Sequence, residues 1–115
     1  MSMSDNRLPT EFWVQAQLRR LNASGVGAYL LRRGDTERGA VIVRLAEREG
    51  TRILTQVRDL NGKLTWMPAK DGTILNNEDA NAYVDRAVAR DYDLWVIEVE
   101  TRSGENPFEG QVPGS

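Results

Sequence analysis

Carboxylates and arginines carry nearly all the chemical capacity of this chain. Its 115 residues include 17 acids and 15 bases, but no histidine and no cysteine. Without histidine the chain lacks the usual general base near neutral pH and the commonest transition-metal ligand. Without cysteine it lacks thiol nucleophiles, thiolate metal sites and disulfides. Serine–histidine and cysteine–histidine catalysis are therefore excluded within one chain. Carboxylate-bound magnesium or calcium is not.

The acids best placed for such chemistry are Glu98 and Glu100, two residues apart on a strand-like segment and so on one face of it. Glu47 and Glu49 share this spacing if their strand extends so far. A carboxylate pair on one face can hold a divalent ion or serve as an acid–base couple. The structural explanation is simpler: acids at strand ends face water or cross-strand arginines, and arginines abound here. Asp91 and Asp93 bracket a turn and read as connectors between a helix and a strand. Metal-dependent nucleases place an acid and a Glu-x-Lys triplet on adjacent strands, and no such triplet occurs. Asp35 stands in a loop, followed by Val41-Ile42-Val43-Arg44 where a second acid would be needed. No cofactor and no metal site is expected, and no catalytic residue is assigned.

The bases are arginines in all but two cases, Lys63 and Lys70. Arg19, Arg20, Arg32, Arg33 and Arg38 would form one patch if the second pair, ending the strand after the first helix, returns beside the first. Such a patch binds phosphate or an acidic partner through bidentate hydrogen bonds. With Phe12, Trp13 or Tyr29 nearby it could also stack bases. The alternative is a solvated face whose arginine stems cover apolar surface. The net charge of −2 gives no whole-molecule attraction to nucleic acid. The distribution is uneven: residues 1–58 hold ten arginines against six acids, and residues 59–115 five bases against eleven acids.

Positioning these groups falls to two helices and five strands. A helix from Leu8 to Ala23 is predicted by Pro9 in its first turn, Glu11 near its positive end and Gly25 as its stop. Val14, Leu18 and Leu21 form its core stripe, while Phe12, Ala16 and Ala23 lie nearly opposite. A helix with two apolar faces sits between layers or carries a partner site. Strands follow at 26–33, 40–47, 51–59 and 64–67, separated by polar or glycine-containing turns, with Asn61-Gly62 the strongest hairpin signal. Pro68 places the fourth of these toward an edge. A second helix begins at Asn76 or Asn77, with Glu78 and Asp79 in its first turn. The run from Asp93 to Glu100 has large apolar residues on both faces in its first half, as suits a strand paired inside the sheet.

The expected fold is α+β in the order α-β-β-β-β-α-β: an antiparallel four-stranded meander, a C-terminal strand and two helices packed on one sheet. Residues 1–102 form the single domain and residues 103–115, rich in Gly, Pro and acids, a flexible tail in which only Phe108 and Val112 could pack. No apolar run approaches the roughly 20 residues of a membrane span, and Met1 to Arg7 lack a secretory signal. A cytoplasmic location without membrane contact is expected. The opening Arg-Leu-Pro-Thr-Glu-Phe-Trp-Val, the Gly-Ala-Val-Ile-Val-Arg-Leu strand and the closing Asp-Leu-Trp-Val-Ile-Glu-Val-Glu resemble a family of small alphaproteobacterial proteins, domain of unknown function 1491. The resemblance covers nearly the whole chain except the tail. It implies a bacterial cytoplasmic protein and no activity, cofactor or site residue.

The leading functional expectation is a non-enzymatic module that binds another protein or a second copy of itself. Phe12, Trp13, Ala16 and Trp66 are its candidate contacts, tryptophan being enriched at interfaces. Trp95, in the most apolar strand, is expected in the core. The alternatives are nucleic-acid or anion binding through the arginine patch, and a divalent-ion enzyme using Glu98 and Glu100.

Overall fold

The computed structural model describes residues 8–102, 104–108 and 112–113; the remainder of the expected tail and the first seven residues lie outside the described residues. Helix α1 spans Thr10–Ala23, strands β1 to β4 span Ala28–Arg32, Val41–Glu47, Gly50–Arg58 and Leu64–Pro68, helix α2 spans Asn77–Arg90, and strand β5 spans Trp95–Glu100. The element order is the expected one. A short 3-10 turn, Ala69–Gly72, follows β4.

The strands form one sheet in the order β1-β5-β2-β3-β4. Strands β2, β3 and β4 make the expected antiparallel meander, but β1 is not its fourth member. β5 enters between β1 and β2, antiparallel to the first and parallel to the second, so the sheet is mixed. The physical reason lies in the composition of β5. Trp95, Val96, Ile97 and Val99 are all buried, and only a strand with neighbours on both sides and helices on both faces can bury so much. β4, which ends in Pro68, forms the far edge.

The two helices cover opposite faces. On one, Trp13, Val14 and Leu21 of α1 pack against Val43, Leu45, Trp95, Ile97 and Val99. On the other, Ala80 and Ala87 of α2 pack against Ile42 and Ile53. The expected stripe of α1 is buried at Val14 and Leu21 and partly at Leu18. Phe12, Ala16 and Ala23 stay exposed. The start of α1 has no side-chain cap. Instead the Thr10 and Glu11 amides donate to the Glu37 and Thr36 carbonyls, and the Thr10 hydroxyl donates to the Gly39 carbonyl. This loop is pinned in turn by Trp95, whose indole N–H donates to the Asp35 carbonyl at 2.7 Å. Gly34 and Gly39 permit the close fit, since a Cβ on either would lie 2.2 or 2.3 Å from the Asp93 carbonyl oxygen.

Helix α2 is capped as expected, the Asn76 side chain accepting from the Asp79 amide at 2.7 Å. The hairpin at Asn61-Gly62 differs in detail from the sequence expectation. Only Gly62 has positive φ, and Asp59 accepts from the amides of Asn61 and Lys63, closing a three-residue loop with glycine in its left-handed position.

The C-terminal segment returns across the α1 face. Phe108 is fully buried between Trp13 and Trp66, with ring centroids 5.3 and 5.9 Å away, and Val112 is buried as well. The core therefore draws on residues beyond 102, where the sequence reading ended the domain. The three rings come from α1, β4 and the returning segment, and they tie these together around a cluster no single element could bury. Phe108→Ala should lower unfolding stability by about 3 kcal/mol, the usual cost of emptying a large aromatic site. Urea denaturation followed by tryptophan fluorescence measures it, and a loss within error of zero would mean that Phe108 is not held in the core.

Candidate functional site

The structure disperses the expected arginine patch. Arg33 lies near the start of α1, its guanidinium 3.0 Å from Glu11 and 5.5 Å from the Trp95 ring. Arg32 donates to the carbonyls of Arg33, Tyr92 and Leu94, closing the end of β5. Arg20 donates to Gln17 and to the Pro107 carbonyl, holding the returning segment. Arg19 and Arg20 follow Glu11 by eight and nine residues, roughly 12–14 Å of helical rise from the Glu11–Arg33 pair. Arg38 is exposed in the loop that caps α1. No single anion site gathers the five.

The carboxylates are likewise engaged. Glu98 and Glu100 do share a face of β5, the one bearing α2. Glu98 pairs at 3.2 Å with Arg44, whose side chain is almost wholly buried and also donates to Asn77 and Asn81 of α2. This cluster joins β2, β5 and α2. Glu100 accepts a hydrogen bond from the Tyr29 hydroxyl at 2.8 Å. Glu47 points to the opposite face and pairs with Arg52 at 2.7 Å. Glu49 lies in the turn after β2. Asp91 accepts from the Asp93 amide within the connector, as expected. A recess of about 1160 Å³ opens at this end of the sheet beside Gly27, Glu47, Glu98 and Glu100. Among the described residues no three acids are grouped to hold a metal ion.

The expected contact residues divide. Trp13 is buried and Trp66 half-buried in the cluster with Phe108. Their burial depends on Phe108, some forty residues and more from either, which no local pattern reveals. Phe12 and Ala16 remain on the outer side of α1.

The surface best built for contact is one the sequence reading passed over. Strand β1 has β5 on one side and, among the described residues, no strand on the other. Tyr29, Leu30 and Leu31 along it are 46, 42 and 50% exposed. Beside Leu31 a groove of about 380 Å³ runs between the sheet and α2, its apolar wall made by Val84, Val88 and Val96. Arg32, Arg44, Asn81 and Asp85 border it. The helix leaves this strip uncovered because its buried alanines sit over β2 and β3 rather than β1. The signal in the sequence was the Tyr-Leu-Leu run itself, apolar at successive positions where a half-buried strand would alternate.

The outer edge of β1 is blocked at one position and open at another. Asn22, in the last turn of α1, donates to the Ala28 carbonyl at 3.0 Å and accepts from the Ala28 amide at 3.2 Å. On the β5 side the Glu100 amide donates to the Gly27 carbonyl. Backbone groups alternate along an antiparallel ladder, so Leu30 turns its N–H and C=O outward as Ala28 does. No described residue meets them. After Leu30 the register shifts at a bulge before Arg32.

The hydrogen bond to Glu100, reinforced by its charge, raises the Tyr29 hydroxyl above its ordinary pKa of 10.0. The protonated ring is the form favoured by the fold, so this contribution to stability is complete below pH 10.0 and is lost as pH rises through the folded-state value. In Glu100→Gln the Tyr29 titration should move down toward 10.0, read from its ring proton shifts. An unchanged midpoint would remove Glu100 as the cause.

Comparison with known proteins agrees with this architecture. A family model described as a protein of unknown function, DUF1491, matches residues 8–109. No curated protein matches the chain. The crystal structure of a DUF1491 family protein from Caulobacter crescentus CB15 is 36% identical, with a TM-score of 0.74, over 85% of this chain and 92% of that one. A solution structure of a DUF1491 family protein from the same organism is 34% identical, with a TM-score of 0.74, over 85% and 89%. A solution structure of a protein from A. tumefaciens is 25% identical, with a TM-score of 0.70, over 84% and 88%. With its sequence matched over nearly all the described residues and its sheet and helices shared, this chain belongs to the DUF1491 family, whose function is unknown.

Proposed function

We propose that the protein is a non-enzymatic binding module that docks a polypeptide along the outer edge of β1 and into the groove beside α2. The observation that carries this reading is the exposed run Tyr29-Leu30-Leu31 on an edge strand, continuous with an apolar groove. Monomeric proteins guard such edges, because unpaired backbone groups flanked by apolar side chains invite another strand. Asn22 guards Ala28, and Leu30 stays open.

A catalytic reading has less support. The chain has no histidine or cysteine, and Glu47, Glu98 and Glu100 each already meet an arginine or a tyrosine hydroxyl. Anion binding is weakened by the separation of Arg19 and Arg20 from Arg33 and by the net charge of −2. Phe12 and Ala16 offer a second, smaller contact on α1, bordered by Arg19. A cytoplasmic setting belongs to the same proposal. No helix among the described residues is long and apolar enough to cross a membrane.

The test is affinity capture from bacterial lysate with the full chain and with Leu31→Lys, each with and without nuclease. Leu31 is half exposed, so the variant should keep its melting temperature while losing the captured polypeptides. Capture of the same polypeptides in equal amounts by both chains would refute docking at β1. Capture abolished by nuclease would transfer support to the arginines.

A further inference from the structure

The β1 edge is limited in a way that narrows its occupant. One residue, Leu30, offers an outward N–H and C=O pair. On its N-terminal side the next outward position, Ala28, is filled by the Asn22 amide. On its C-terminal side the ladder shifts at the bulge before Arg32. A long, regular peptide strand laid on this edge would collide with Asn22 at one end and lose register at the other.

A second copy of β1 meets both limits. An antiparallel arrangement with its two-fold axis at Leu30 places each Leu30 against the other and pairs their backbone groups. It sets Tyr29 of one copy opposite Leu31 of its partner on the face bearing α2. Ala28, where Asn22 occupies the edge, then falls opposite the partner's Arg32, which lies past the bulge where the ladder has already broken. Regular pairing in this arrangement is confined to Leu30 and its immediate neighbours, since Ala28 is held by Asn22 and the register of β1 on β5 shifts before Arg32. Like any isologous contact, it closes on itself and leaves no free end for further growth.

Charge follows the same symmetry. Arg32 stands at one end of β1 and meets only carbonyl oxygens, with no carboxylate partner among the described residues. Glu100 stands beside the other end and meets only the Tyr29 hydroxyl among described side chains. Both lie on the face bearing α2. The two-fold axis turns the basic end of each copy toward the acidic end of the other.

We infer that the protein forms a symmetric dimer through β1, joining two five-stranded sheets at Leu30. This rests on the reading of β1 as the docking edge and names its occupant. The test is sedimentation equilibrium of the full chain up to millimolar concentration. The wild type should reach twice the chain mass, and Leu30→Asp, which sets two carboxylates on the axis, should remain a monomer with an unchanged far-ultraviolet spectrum. Arg32→Glu and Glu100→Arg should each raise the dimer dissociation constant roughly fivefold to tenfold, as expected for two partly exposed charge contacts. The double variant should restore it, because each reversed charge then meets the other across the axis. That rescue keeps the test valid even if Leu30→Asp fails to fold. A wild type that stays monomeric, or a dimer indifferent to both Leu30→Asp and the charge reversals, overturns the inference. If that monomer still captures a polypeptide sensitive to Leu31→Lys, the second copy is refuted while docking at β1 stands; if it does not, both fall.

Discussion

Strand β5 must be apolar on both faces in its first half and must reach the middle of the sheet from the far end of the chain. Its parallel pairing with β2 sets Arg44 beside Glu98, 54 residues apart in sequence. Only with β5 in place does β1 have a strand to pair with, because among the described residues β1 pairs with no other. The loop that caps α1 depends on β5 as well, through the Trp95 indole and the Asp93 carbonyl. Forming the sheet thus requires closing long loops before the contacts that reward closure exist, a cost that grows slowly with loop length.

The Arg44 cluster shows how that placement is specified. A buried arginine is costly unless its donors are met. Here its partners are Glu98 on β5 and Asn77 and Asn81 on α2. Shifting β5 by one residue would carry Glu98 to the opposite face and put an apolar side chain against the guanidinium. The cluster therefore penalises the wrong register more than it strengthens the right one. On the other face the Trp13–Trp66–Phe108 cluster is apolar and less demanding of register, with the Glu47–Arg52 pair toward the end of β2. The result is a firm centre, with β1 attached at the margin by β5 and by Asn22.

Elements governed by local chemistry were readable from the residues. Pro9, Asn76 and Gly62 mark helix starts and a turn through their own backbone preferences, and the alternation of Val41, Val43 and Leu45 marks β2. The apolar character of β5 correctly implied an interior strand. Its neighbours were not readable, since pairing is decided by residues fifty positions away. The same limit explains Trp13 and Trp66. Trp13 off the core stripe and Trp66 beside Pro68 fitted either a contact or partial burial, and their cover is supplied by Phe108 from beyond β5. The arginines were open for a different reason: both a patch and a solvated face fitted the sequence, which does not disclose which guanidinium groups will meet backbone carbonyls, as Arg20 and Arg32 do. Tyr29-Leu30-Leu31 was readable as a strand but not as an exposed one, because exposure depends on α2 leaning toward the other side of the sheet.

The proposed docking at β1 turns on the open backbone groups of Leu30. Amide hydrogen exchange of the wild-type chain at low and high concentration tests it most directly. The Ala28 amide, held by Asn22, should be protected equally at both. The Leu30 amide should exchange freely in dilute solution and become protected as concentration rises. A Leu30 exchange rate that does not change with concentration would contradict the account.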